Sequence, residues 1–306
     1  MESLDDRRTR PAGMRLAGAA GHDGWPLRAF DWPAEGEPRG SILFQTGRGD
    51  FLEKYLEAFG HWHRRGWTIA GFDWRGQGGS RGAGSAPAAA AALDAMLADV
   101  AGFAARWIAE SPPPHVLIGH SMGGHLVLRL LAEQAVPVAA AVLVSPMLGL
   151  RHAPLSPAIA RGVARMAVAL GQAGRPLWGT REMLVRQANL TGCADRYADE
   201  TWWKETQPDL SLGPPDWGWV AAALRSIARL AAPGVLERVT PPVLLIATDR
   251  DRLVSAAAIR AATARLPHAT LRMIDGAHEL LREADGPRLE AFAAIDAFLA
   301  AQAPAR

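Results

Sequence analysis

Gly119-His120-Ser121-Met122-Gly123-Gly124 follows an apolar run at residues 115–118 and opens a helical pattern over residues 125–133. A Gly-x-Ser-x-Gly turn between a buried strand and a helix forces its serine into a strained backbone conformation. Glycines at 119 and 123 remove the side chains that would collide there. The Ser121 hydroxyl is then presented at the top of a sheet as a nucleophile. The Met122 N–H, at the start of the helix, is left free to bind a developing oxyanion.

Working outward, strands and helices alternate. Residues 14–32 read as two extended segments around the turn signal Gly21-His22-Asp23-Gly24, an opening hairpin. Short strands follow at 41–44 and 67–72. The first runs into Thr46-Gly47-Arg48-Gly49 and a helical pattern at 51–65; the second is closed by Asp73-Trp74-Arg75-Gly76-Gln77-Gly78-Gly79-Ser80. An alanine-rich helix at about 88–110 leads through Pro112-Pro113-Pro114 into the nucleophile strand, and 139–144 supplies the next strand. The rhythm breaks from 148 to 231, where Trp178, Trp202, Trp203, Trp217 and Trp219 lie among helical segments and loops. It resumes with a strand at 243–247, a helix at 256–266, a strand at 270–274 and a helix at 288–301. This alternation predicts the α/β class, a mainly parallel sheet flanked by helices. The expected organisation is a disordered arm at 1–12, a core at 13–147 and 232–306, and a helical cap at 148–231 inserted over the catalytic face.

The 306 residues suffice for one large domain with an insertion. Hydrophobic residues at 49% and charged residues at 21% are ordinary globular composition. The net charge of +2 and pI of about 9.1 reflect many arginines against Lys54 and Lys204 alone. These arginines form no basic block, which argues against nucleic acid as a partner. A single cysteine, Cys193, forms no intrachain disulfide. Residues 1–13 carry no apolar leader, and no stretch approaches the roughly 18 apolar residues of a membrane span. A cytoplasmic location is expected.

A serine hydroxyl needs a base, and the base an orienting acid, in the chain order serine, acid, histidine. Beyond the nucleophile helix stand His152, His268 and His278. His278 follows the last strand, where a loop delivers an imidazole to the sheet's C-terminal edge, whereas His268 precedes that strand and His152 lies in the cap. In Thr248-Asp249-Arg250-Asp251-Arg252-Leu253-Val254 two aspartates compete. Asp251, just before the turn into the next helix, is the candidate acid, and Asp249 is read as capping the loop through backbone N–H groups. The second oxyanion donor is expected from the loop after the first long strand, at the Arg48 N–H. Trp178, Trp203 and Trp217 are candidates to line a substrate slot in the cap. His120 and His125 have no companion acid or thiol at ligand spacing, so no metal is expected. The chain has no Gly-x-Gly-x-x-Gly or Gly-Lys-Ser/Thr loop, so no nucleotide cofactor is indicated either.

Four segments carry a family resemblance: residues 47–55, residues 73–80, Gly119 to Gly124, and Gly276-Ala277-His278-Glu279-Leu280-Leu281-Arg282-Glu283. Through them the chain from Met14 onward resembles α/β-hydrolases of the lysophospholipase L2 and monoacylglycerol lipase group, a set classed as serine aminopeptidase-like. The second and fourth segments are more specific than the serine turn. The resemblance matches Ser121, Asp251 and His278 to the triad, and Arg48 and Met122 to the oxyanion positions. It departs at Thr46, where monoacylglycerol lipases carry histidine. It implies cofactor-free, two-step acyl transfer through an acyl-enzyme. The expected partner is a small-molecule ester of a single acyl chain, with transient membrane-surface contact through the cap. A peptidase of the proline iminopeptidase kind would need acidic cap residues to hold an amine, for which Glu182, Glu200 and Glu205 are available. An acyltransferase would use the same triad with water excluded, and a non-catalytic binding module could occupy the same fold.

Overall fold

The computed structural model describes residues 7–82, 92–151, 156–179 and 190–305. Eight strands form one sheet: β1 (Arg15–Ala20), β2 (Pro26–Trp32), β3 (Gly40–Gln45), β4 (Trp67–Phe72), β5 (His115–His120), β6 (Ala140–Val144), β7 (Val243–Ala247) and β8 (Ala269–Met273). Their order is β1-β2-β4-β3-β5-β6-β7-β8. The β1–β2 and β2–β4 pairs are antiparallel and the other five pairs are parallel.

The inner strands are apolar through their middles because both of their faces are covered, as a parallel sheet requires, with Ser41, Gln45, Thr68, His115 and His120 confined to positions near the strand ends. Alternate residues go to opposite sides. Leu43, Phe72, Leu117, Leu143 and Leu245 join one core, together with helices α2 (Ala92–Glu110) and α3 (Met122–Glu133). Ile42, Phe44, Ile69, Ile118, Val144 and Ile246 join the other, under α1 (Leu56–His63) and the C-terminal helix Asp285–Gln302. The helical pattern at 51–65 begins as a 3₁₀ turn, Leu52–Tyr55, before α1.

Between β6 and β7 lie α4 (Pro157–Ala169), α5 (Ala194–Thr206) and α6 (Trp217–Leu230). These helices divide into two groups. α4 and α6 pack on each other through Ala160, Ala164 and Leu224. α5 instead docks on the core, where Arg196 grips Glu57 at 2.6 Å and Glu200 reaches Lys54 at 2.9 Å. The reading of residues 1–12 as a disordered arm is corrected for its described part. Arg7 and Arg8 both bind Asp199, at 2.5 and 2.7 Å, and Arg10 binds Glu53 at 2.7 Å.

Phe59 is fully buried and packs its ring 4.8 Å from Phe30 and 5.1 Å from Phe44. Phe59→Ala should lower unfolding stability by about 3–5 kcal/mol, the usual cost of emptying an aromatic core site. Leu289→Ala, on the exposed side of the last helix, should stay within about 0.5 kcal/mol. Urea unfolding midpoints compare the two.

Candidate active site

The turn at Ser121 is as tight as its glycines suggest. A Cβ at Gly123 would lie 2.3 Å from the Gln45 carbonyl oxygen, and one at Gly119 would lie 2.6 Å from the Gly124 nitrogen. Ser121 has φ 52°, a left-handed conformation that serine rarely adopts. The surrounding backbone holds it there. Its N–H donates to the Val144 carbonyl at 2.9 Å, and its own carbonyl accepts from Met147 and His125 N–H groups at 3.0 Å each.

His278 is carried by the loop after β8. Its carbonyl accepts the Ser145 hydroxyl at 2.7 Å, the Gly276 carbonyl accepts the Thr248 hydroxyl at 2.8 Å, and the Glu283 carboxylate accepts the Ala277 N–H at 2.9 Å. The His278 ring Nδ1 lies 2.6 Å from Asp251 Oδ2. The other Asp251 oxygen accepts the Leu253 and Val254 amides at 2.8 and 2.9 Å. Asp251 therefore does what was expected of Asp249 as well: it caps the loop and faces the imidazole. Asp249 points outward to Arg260 at 2.7 Å, because only one side of that loop faces the sheet edge.

Burial opposes charge on both partners of the His278–Asp251 pair, but their mutual attraction prevails. The imidazole is pushed above its ordinary pKa and the carboxyl below its own. Ser121 and His278 line the same cavity without a hydrogen bond between them, a looseness common before substrate arrives.

The loop after β3 approaches from the other side. A Cβ at Gly47 would come within 3.3 Å of Ser121 Cβ. The Gly47 N–H donates to Asp50 at 2.9 Å and the Gly49 N–H to the Gln77 side chain at 2.6 Å, while the buried Trp74 indole donates to the Thr46 carbonyl at 2.7 Å. The intervening Arg48 N–H and the first amide of α3, on Met122, have no acceptor among the described residues. The arrangement can thus offer two free donors to an oxyanion beside Ser121.

The sequence reading gave no role to the charged layer beneath this loop. Lys54 Nζ sits 2.6 Å from Asp50, 2.6 Å from Glu279 and 2.9 Å from Glu200, all four groups being buried. Burial alone would neutralise Lys54, Asp50 and Glu200; their mutual attraction prevails, with Lys54 pushed up and Asp50 and Glu200 pushed down. Tyr55 donates to Asp50 Oδ2 at 2.8 Å, and its oxygen meets His120 Nδ1 at 2.8 Å. These residues stand inside the quoted motifs, but their meeting spans up to 225 positions and no local pattern announces it.

The cavity measures about 500 Å³ and is lined by Arg48, Ser121, Met122 and His278 together with apolar residues of α4 and α6. Trp178 and Trp217 line it, and so does Trp219, which was not among the sequence candidates. Trp203 is the correction. It is buried in the core on the α1 side, its indole donating to the Arg7 carbonyl at 3.1 Å, because α5 docks away from the cavity. His152 and Glu182 lie outside the described residues. His268 precedes β8, at the end of the sheet away from Ser121.

A family profile described as serine aminopeptidase, S33, matches residues 36–285. A probable lysophospholipase L2 of Haemophilus influenzae is 29% identical over 192 residues, 61% of this chain and 59% of that protein. The magnesium-chelatase 30 kDa subunit of Rhodobacter capsulatus is 31% identical over 180 residues, covering 56% and 60%. The matches thus span about three-fifths of the length of these curated relatives. Among solved structures, a soluble variant of monoglyceride lipase from Saccharomyces cerevisiae superposes with a TM-score of 0.76 at 15% identity. It covers 96% of this chain and 97% of its own, which is a likeness of fold.

With His278 as the base expected from the sequence, which must be neutral to take a proton, kcat/KM should fall on the acid side as it protonates. Its raised pKa puts that midpoint above the ordinary 6.5. Asp251→Asn removes the charge that raises it, so the midpoint should move down while turnover falls by about 10⁴, as in a well-studied triad. Asp249→Asn should leave midpoint and rate near wild type. Rates measured across pH for the three proteins check the assignment.

Proposed function

Because this chain belongs to the serine aminopeptidase S33 family and has the α/β-hydrolase fold, we propose that it is a serine hydrolase of carboxylic esters. The observation that carries this reading is the pair of unoccupied amides on Arg48 and Met122 beside Ser121, with the Gly47 and Gly49 amides already engaged. Ser121 Oγ attacks the ester carbonyl as His278 takes its proton, and the two amides hold the resulting oxyanion. Collapse expels the alcohol, protonated by His278. Water, deprotonated by the same ring, then releases the acid. Asp251 holds the ring in the tautomer with its proton on Nδ1. Every charge that develops is met by a protein group, so the scheme calls for no metal or organic cofactor.

The substrate we infer is an ester of one acyl chain, such as a lysophospholipid or a monoacylglycerol. A cavity walled by Leu150, Val163, Leu177 and Leu253 supports it, as do the names of the similar proteins. α4 and α6 act as the lid. Ile159 and Met166 on α4, and Leu170 just after it, are exposed and suit transient contact with a lipid surface. Among the described residues no helix is long and apolar enough to cross a membrane. An aminopeptidase would need a free carboxylate for the substrate amine. Of the two described candidates, Glu200 is committed to Lys54, Lys204 and Arg282, and Glu205 lies on α5 and does not line the cavity, which favours the ester reading.

Ser121→Ala should reduce ester turnover by about 10⁶ and abolish fluorophosphonate labelling, with an unchanged unfolding midpoint. More than a tenth of wild-type activity in the folded variant would defeat the mechanism.

Burial of each methylene is worth about 0.8 kcal/mol, so kcat/KM on p-nitrophenyl esters should rise from acetate toward medium chains. Trp178→Ala and Trp217→Ala should flatten that rise more than they reduce acetate hydrolysis. Trp203→Ala should keep the slope and lose about 3–5 kcal/mol of stability instead. A persistent preference for acetate would refute the acyl lid.

A further inference from the structure

The charges around the cavity are unequal in their commitments. Its two acidic residues, Asp50 and Glu279, both hold Lys54 at 2.6 Å. Its cationic residues are Arg48, Arg151 and Arg252. Arg151 donates to the Asp251 main-chain carbonyl at 2.6 Å. Arg48 reaches inward from the oxyanion loop, its guanidinium carbon 5.0 Å from the centre of the Trp219 ring. Among the described residues its side chain makes one hydrogen bond, from Nη2 to the Gly213 carbonyl at 3.1 Å. Its Nε is buried without an acceptor, and no carboxylate stands within ion-pair distance of it among the described residues. Asp216 exerts a weaker pull from farther off, and its Oδ1 is already taken by the Trp219 amide at 2.7 Å. Burial lowers the guanidinium pKa to about 10, which leaves it charged at neutral pH.

A guanidinium has five donors in a planar fork, and a buried N–H with no acceptor is costly. Two oxygens of one anion would satisfy Nε and a free Nη proton together, while the guanidinium stays over the Trp219 ring. We propose that the Arg48 side chain is an anion subsite that selects esters carrying a phosphate or carboxylate about one side-chain length from the scissile carbonyl. This rests on the ester-hydrolase reading. It assigns the loop a second task, since the Arg48 amide and the Arg48 guanidinium face the same substrate from one residue.

The test compares 1-lauroyl-lysophosphatidate with 1-monolauroylglycerol on wild type, Arg48→Lys and Arg48→Gln. The ratio of the two kcat/KM values should fall at least about tenfold in Arg48→Gln and less in Arg48→Lys. Equal losses on both esters, with the ratio unchanged, would overturn the proposal and leave Arg48 as a strut between loop and lid. A binding arm uses Ser121→Ala protein titrated with dodecyl phosphate and with dodecanol. The phosphate should bind more tightly, and Arg48→Gln in the same background should erase the difference; a difference that survives overturns the subsite. Competition by inorganic phosphate would mark a site for phosphate as such, and its failure a site for the tethered headgroup, both with Arg48 as the receptor. If wild type turns over neither ester while dodecyl phosphate binding still depends on Arg48, the hydrolase reading fails and this one stands.

Discussion

The approach of α3 to the end of β3 is the contact on which the site depends. At Gly123 a single Cβ would fall 2.3 Å from one strand carbonyl and 2.4 Å from the next, so the helix can start there only without a side chain. That approach brings Met122 and Arg48, from segments 74 residues apart in sequence, to either side of Ser121. It also bends Ser121 into a conformation that costs about 1–3 kcal/mol for a non-glycine residue. The cost is met locally by hydrogen bonds to the neighbouring strand and to residues 125 and 147. The presentation of Ser121 at the sheet edge and its strain therefore have one cause.

The buried layer around Lys54 has a different logic. Four charged groups out of water are expensive, and apolar residues of equal volume would often be as stable. Their directionality is what apolar packing lacks. Asp50 uses one oxygen for Lys54 and the other for the Gly47 amide and the Tyr55 hydroxyl, so the ion cluster sets the pose of the loop beside Ser121. Glu279 ties the same lysine to the residue after His278. Glu200 adds α5 to the cluster, which makes part of the inserted segment into scaffold. Of the three inserted helices, α4 and α6 border the cavity, joined by Leu177, Trp178, Leu190 and Leu212 from the segments between the helices.

The strands were legible because each inner strand is an apolar run bounded by turn residues, and burial on both faces confines its polar residues to positions near the ends. Ser121, Asp251 and His278 were legible as candidates because each stands in a loop directly after a strand, and parallel strands bring such loops to one edge. Trp203 misled because a tryptophan on a half-polar helix reads the same whether that helix faces a cavity or a core. The difference lies in Glu57 and Arg196, 139 positions apart. Residues 7–12 misled for a related reason: a run of arginines is solvated by default, and order comes from Asp199 and Glu53, which no local window contains. Trp74 and Gln77 stood in a recognised motif, yet their task of fixing the Thr46 carbonyl and the Gly49 amide became visible only with β3 and β4 side by side.

One loop thus combines constraints of different kinds. Its backbone is immobilised from both flanks, by Asp50 through the Gly47 amide and by Gln77 through the Gly49 amide, and this leaves the middle amide unused. A donor that is fixed before the reaction begins needs no reorganisation as charge develops, which is where such groups gain their effect. The side chain of that same residue is under no comparable restraint: it touches one carbonyl and one ring of the lid. Chemistry under the proposed mechanism would therefore reside in the rigid backbone of residues 46–50, and recognition in the adjustable Arg48 side chain.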